Sequence, residues 1–292
     1  MTSRKGDKLT TDLHRLMGTQ DFKSIEEVEA FMKKLMNEPI PPFEHEALTE
    51  REKAQDLVYE AYELPPAKAI DNIRKALSID ADCIEAFEFL GKDEDVIPVA
   101  MAYFEKGIEI GRRLYGAAYR KSHPGEFWLH HETRPFMRCL SFNAYYMYQL
   151  GRKAESIIMY EEIIRLNPSD HLGIRDLLML YLIEMNEDEK FRKYTKKFKH
   201  DHMVFARYNK ALFEYKTSGA TASASFLLED ALQYNPHVPS MLLSKKRPKD
   251  SPVHYSPGEK TEALYYAENA YTVWRTVPGA LEWLKGLSIR FN

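Results

Sequence analysis

Cysteine is almost missing from this chain. Cys83 and Cys139 are the two thiols in 292 residues, too few and too isolated for a disulfide framework or a thiolate zinc centre. Also missing is any run of about eighteen apolar residues, and the start, MTSRKGDKLTT, carries charge without an apolar core. Neither a spanning helix nor a secretory leader is therefore read, and a soluble cytoplasmic protein is expected. Charge of one sign is lacking too: 41 basic and 44 acidic residues leave a formal −3, so no nucleic-acid surface covers the whole molecule. There is no Gly-rich phosphate loop and no nucleophile elbow. His130-His131-Glu132 are adjacent rather than spaced i, i+4, which denies them the one-face geometry of a zinc-hydrolase helix. No enzyme activity, metal or cofactor is expected.

What the chain does have is a period. Asn167-Pro168 recurs as Asn235-Pro236, 68 residues on, and Gly151 recurs as Gly219 at the same interval, two steps of 34. That step is the length of a tetratricopeptide helix pair. Counted from Gly219, Ala224, Ala231 and Pro236 stand where small crossing residues and a helix-ending Pro are wanted; from Gly151 the same offsets give Ser156, Ile163 and Pro168. A unit between them has Asn186 at its turn and Phe191 and Phe198 at the crossing positions. Three consecutive units are about the minimum that can bury their apolar faces against one another.

Around these units the rest of the chain falls into place. Residues 1–11 are polar and expected to fray, with Arg4, Lys5 and Lys8 as a small basic tail. Ser24 and Glu27 form a capping-box pair before the helical spacing of Ile25, Val28, Phe31, Met32 and Leu35. Glu38-Pro39-Ile40-Pro41-Pro42 then reads as a linker, so residues 1–42 are an appended helical segment. Residues 43–238 are read as about five tetratricopeptide-like repeats. The first turns at Pro65-Pro66 with Ala69 and Ala76 at its crossing; the second has Ala100 and Gly107. About 22 extra residues, 111–132, interrupt the period after that. This insertion is rich in aromatic and basic residues and holds His123, His130 and His131. It reads either as a helix extension and Pro-Gly turn packed on the stack or as a binding loop. Residues 239–292 are a Pro-rich connector and capping helices, with Leu264, Ala267, Tyr271 and Trp274 on one helix face and Leu281, Trp283 and Leu284 beneath it.

First helices of such repeats line a concave face, and there the register places Arg138, Tyr145 and Tyr148, then Asn209, Phe213 and Lys216. Aromatics with Arg, Asn and Lys suit a protein or peptide segment, though Tyr and Phe can equally fill a curved inner surface. Arg175 takes a slot usually apolar: it is either a structural ion pair with Glu161 or Glu162, or it joins Arg134 and Arg138 around an anionic ligand. Lys190, Arg192, Lys193, Lys196, Lys197 and Lys199 form a basic run broken by Phe191, Tyr194 and Phe198. The break spacing marks a buried stripe with solvated lysines outside it, and Lys193, Lys196 and Lys197 are the positions an RNA would use.

Two stretches carry a family resemblance. Asn235-Pro236-His237-Val238-Pro239 followed by EALYYAENAYTVWRTVPGALEWL at 262–284 resembles the C-terminal part of the suppressor-of-tumorigenicity-7 family, and a broad set of bacterial tetratricopeptide proteins. The bacterial set is similar also at ETRPFMR (132–138), LNPSDHLGIRDLL (166–178) and DFKSIEEVEAF (21–31), and no family feature is carried over to the histidines of 111–131. The resemblance implies a helical repeat fold and no established reaction. Together the readings predict an all-α, right-handed α-solenoid of tetratricopeptide-like helix pairs with a C-terminal capping helix, acting as a non-catalytic scaffold for a partner segment. An RNA-binding repeat using 190–199 is the alternative, and a hydrolase built on the 123–132 histidines a third.

Overall fold

The computed structural model describes residues 4–35, 48–252 and 254–290. The linker read at Glu38–Pro42 lies outside the described residues. Every regular element among them is helical: α1 (Arg4–Gly18), α2 (Ile25–Leu35), α3 (Glu50–Ala61), α4 (Pro66–Ile79), α5 (Ile84–Asp93), α6 (Ile97–Leu114), α7 (Ala117–Ser122), a 3-10 turn (His131–Thr133), α8 (Arg134–Gln149), α9 (Lys153–Leu166), α10 (Ile174–Glu184), α11 (Asp188–Lys197), α12 (Val204–Ser218), α13 (Ala222–Tyr234), α14 (Val238–Leu242), α15 (Lys260–Thr276) and α16 (Ala280–Ser288). No described helix is long and apolar enough to cross a membrane. The chain divides into two compact units, 1–150 with 162–171, and 151–161 with 172–292.

In the first unit, local chemistry fixes the helix ends. Thr49 and Glu52 close a reciprocal capping box on α3. Pro66 opens α4, where its missing N–H costs nothing. α3 packs on α4, α5 on α6, and α6 on α8. The small residues read as crossing positions do lie in the core: Ala69, Ala76 and Ala100 are all at or below 2% exposure. At Gly111 the approach of α6 to α8 is closer still, since an added Cβ would sit 2.1 Å from the Phe136 ring. Aromatic side chains of 111–132 pack inward. Tyr115, Phe127 and Trp128 are buried, and the Phe127 N–H donates to the Leu166 carbonyl at 3.2 Å.

Corrected is the expectation that residues 1–11 fray. From Arg4 they form α1, packed against α3 and the 3-10 turn. The reason is ionic, as shown below, and apolar patterning could not reveal it.

Within the second unit α12 packs on α13, and α15 reaches α10, α12 and α14. The turn residues that set the period share one backbone property: Gly151, Asn186 and Gly219 have φ of 80°, 58° and 74°, the left-handed region that Gly adopts freely and Asn tolerates. The α15 core stripe is Glu262, Ala263, Tyr266, Ala267, Ala270, Val273 and Trp274, so Tyr266, not Tyr271, is the buried tyrosine. The Asn of the Asn-Pro motif has a side-chain role. Asn235 is fully buried; its Oδ1 accepts from the His237 N–H at 3.2 Å while its Nδ2 donates to Glu262 at 3.2 Å.

Candidate functional site

The most polar buried region of the first unit is built on α8. Arg138 stands one turn after Arg134 on that helix, and both face α1. Its guanidinium, 7% exposed, donates through Nε to Glu88 at 2.8 Å, through Nη2 to Glu85 at 3.2 Å and through Nη1 to Asp7 at 3.0 Å. Burial alone would push the Arg138 pKa down, but Glu88, Glu85 and Asp7 outweigh it and hold it above the ordinary guanidinium value. Three carboxylates around one buried cation would leave net negative charge. Arg134 supplies the second cation: its Nη1 donates to the other Asp7 oxygen at 2.6 Å and its Nε to the Trp128 carbonyl at 2.9 Å. Asp7 thus bridges two arginines one helical turn apart.

From Asp7 the contact runs along one side of α1. Thr11, one turn on, lies 3.1 Å from the Tyr59 hydroxyl. Burial, then Glu85, push the Tyr59 phenol above its ordinary pKa, so it stays neutral. Arg15, a further turn on, donates to Asp56 at 2.9 Å and to Glu52 at 3.2 Å, its side chain only 6% exposed. His14 stacks on His131 with ring centroids 4.9 Å apart. Burial lowers the His131 pKa, and His14 and Arg134 add to that while Glu132 opposes it. Beneath α1 a cavity of about 310 Å³ remains, lined among others by Arg15, Arg51, Gln55, Glu85, His131 and Glu132. Arg51 donates to the Tyr115 hydroxyl at 3.1 Å, and that hydroxyl donates to the Glu132 carbonyl at 2.7 Å.

The other sequence candidates lie elsewhere. Tyr145 is exposed on α8 and Tyr148 half-buried. In the second unit Asn209 and Phe213, which the register places on the concave face, are buried at 1% and 4% exposure. Phe213 stacks on Phe191 at 4.1 Å. Asn209 Oδ1 accepts from the Tyr266 hydroxyl at 3.1 Å, while its buried Nδ2 has no hydrogen-bond partner. It lines a space of about 20 Å³ shared with Arg175, room for about one water. Arg175 is 27% exposed and donates to Asp201 at 2.5 Å. Glu161, expected to serve it, accepts from Lys190 at 3.0 Å and from the Tyr194 hydroxyl at 3.2 Å. Lys216 donates to Asp188 at 2.6 Å. Lys193, Lys196 and Lys197 are exposed on α11 while Phe191 and Tyr194 are buried, as the stripe predicts. His123 and His130 meet edge to face at 4.6 Å, and Tyr119 stacks on His123 at 4.3 Å; no group of three metal-ligating side chains exists among the described residues. Asp7, Glu85 and Glu88 were missed by sequence reasoning. The signal available was the odd polarity of Glu85 and Glu88 on the short α5, flanked by Ile84, Ala86 and Phe87.

No family model matches the chain. Among curated proteins it is 26% identical over 242 residues to a "Suppressor of tumorigenicity 7 protein-like" of Gallus gallus, covering 75% of this chain and 44% of that protein. The Homo sapiens protein of that name is 24% identical over 246 residues, 76% of this chain and 42% of its own. The "Protein ST7 homolog" of Drosophila melanogaster is 26% identical over 248 residues, 75% and 45% respectively. The chain therefore spans less than half the length of the curated relatives it matches, and over about three quarters of its own length it is a distant homologue of suppressor-of-tumorigenicity-7 proteins.

Proposed function

We propose that this chain is a non-catalytic scaffold that binds a segment of a protein partner on its helical repeats, which stack as tetratricopeptide pairs in a right-handed solenoid in the cytoplasm. The observation that carries this reading is the seat of α1. A helix outside the repeat pattern lies against α3 and the 3-10 turn, its Asp7 held by Arg134 and Arg138. Two of the arginines singled out for an anionic ligand thus take a carboxylate from a helix of the chain itself. Distant homology to suppressor-of-tumorigenicity-7 proteins and the all-helical fold support the same class of function. Tyr145 and Tyr148 on α8 belong to the proposed contact of the first unit; in the second unit Arg175 and Lys216 form a contact of their own, which Asn209 and Phe213 shape from within. Co-purification from native cells tests the proposal: the Tyr145→Ala, Tyr148→Ala double variant should lose a partner that the unmodified chain captures, with helicity unchanged. Retention of every partner would count against it.

A second reading, RNA bound on α11, draws on the exposure of Lys193, Lys196 and Lys197. Phosphate binding weakens steeply with salt. Absence of nucleic-acid retention at low salt would dismiss it.

A further inference from the structure

The face of α1 that meets the repeats is polar. Asp7 and Thr11 are its buried residues, at 3% and 6% exposure, and the Arg15 side chain is at 6%. Leu9 is 56% exposed, and Leu13, Leu16 and Met17 are half-buried. A helix that adds stability to a core turns its apolar stripe inward; α1 turns inward a carboxylate, a hydroxyl and a guanidinium at i, i+4 and i+8. The surface beneath answers each of them. Arg134 and Arg138 take the carboxylate, Tyr59 the hydroxyl, and Glu52 with Asp56 the guanidinium. Its basic and acidic ends are separated by two helical turns, about 12 Å. The 310 Å³ cavity shows that α1 does not seal what it covers.

We propose that this surface is a docking site for an α-helix of a protein partner that carries an acidic residue, a small hydroxyl residue and a basic residue at i, i+4 and i+8, and that α1 is its built-in competitor. The inference rests on the scaffold reading and specifies its ligand: a helix, of fixed polarity, in place of an extended peptide. Charge order sets direction. A helix laid down the opposite way would bring its carboxylate to Glu52 and Asp56 and its cation to the two arginines. Because α1 is tethered, its effective concentration is high, and an outside helix binds with an affinity reduced by the fraction of molecules in which α1 is docked. A partner must displace α1.

The test uses the full chain and a fluorescent peptide of residues 4–18. Asp7→Arg in the chain sets a cation against Arg134 and Arg138, frees α1 and opens the surface. The peptide should then bind the Asp7→Arg chain at least ~10-fold more tightly than the unmodified chain, and a peptide itself carrying Asp7→Arg should not bind. Arg15→Glu, which meets Glu52 and Asp56, opens the surface from the other end and should give the same gain if the first variant folds poorly. Equal binding to unmodified and variant chains, no binding to either variant, or a dimer that exchanges α1 between copies would overturn the proposal. Should the peptide fail while a native partner is still lost with Tyr145 and Tyr148, the helix-site inference falls and the scaffold reading stands.

Discussion

The two units solve the same problem, a buried charge, in opposite ways. In the first unit the buried centre is the Arg138 cation, gripped by Asp7, Glu85 and Glu88 from two other helices. In the second it is the carboxylate of Glu262, 1% exposed, held largely by neutral donors: the Gly258 N–H at 2.7 Å, Asn235 Nδ2 at 3.2 Å, the Tyr234 hydroxyl at 3.3 Å and the Val204 N–H at 3.4 Å. Burial, then Glu262, push the Tyr234 phenol up to about 12. The difference teaches what each centre does. Backbone donors are fixed by the fold, so the Glu262 network is a permanent joint of α15 with the start of α12 and the end of α13. Side-chain ion pairs can be exchanged for others of like geometry, so the Arg138 network can hold a replaceable helix.

The largest effect is expected at the ionic centre. Arg138→Ala takes the shared buried cation away from Asp7, Glu85 and Glu88 and should lower stability by about 3–5 kcal/mol, read as a fall in the denaturation midpoint. If the first unit's charges were merely solvated, the loss would stay under about 1 kcal/mol. Glu262→Ala leaves buried donors without an acceptor and should cost about 2–3 kcal/mol, with Glu262→Gln milder because one oxygen remains. Gly111→Ala forces a methyl into the Phe136 ring and should cost about 1–3 kcal/mol in the same assay; an unchanged midpoint would show that α6 and α8 can part.

Acid should separate the units further. The folded-state pKa of His131 is depressed below 6.5 by burial first, so the unfolded chain binds more protons in the window just below that value. Stability of the first unit should therefore fall as pH drops through that window, and His131→Gln should flatten that part of the profile. A profile unaffected by the substitution would remove His131 from the account. Smallest of all is Lys196→Glu on the exposed side of α11, expected to stay within about 0.5 kcal/mol.

Much of this was legible in the sequence because period and turn chemistry are local. Gly151, Asn186 and Gly219 announced their positive-φ turns, Ala69, Ala76, Ala224 and Ala231 their buried crossings, and the 190–199 spacing its apolar stripe. The ionic centre was not, because it depends on side chains far apart in the chain. Arg138 and Arg134 stood out on α8, but their partner Asp7 lies in a stretch whose polarity argued for fraying. Arg175 shows the same limit: its partner Asp201 comes from a later turn, not from the glutamates nearest in register. Asn209 and Phe213 were placed by helical register alone, which cannot tell that Tyr266 of α15 meets Asn209 and that Phe191 of α11 stacks on Phe213.

Hydrogen exchange over residues 4–18 tests the central claim, that α1 is docked through Asp7 on the surface a partner would use. In the unmodified chain these amides should be protected, and Asp7→Arg should speed their exchange at least ~10-fold while α12 and α13 keep their protection. Exchange of residues 4–18 at unprotected rates in the unmodified chain would contradict the account.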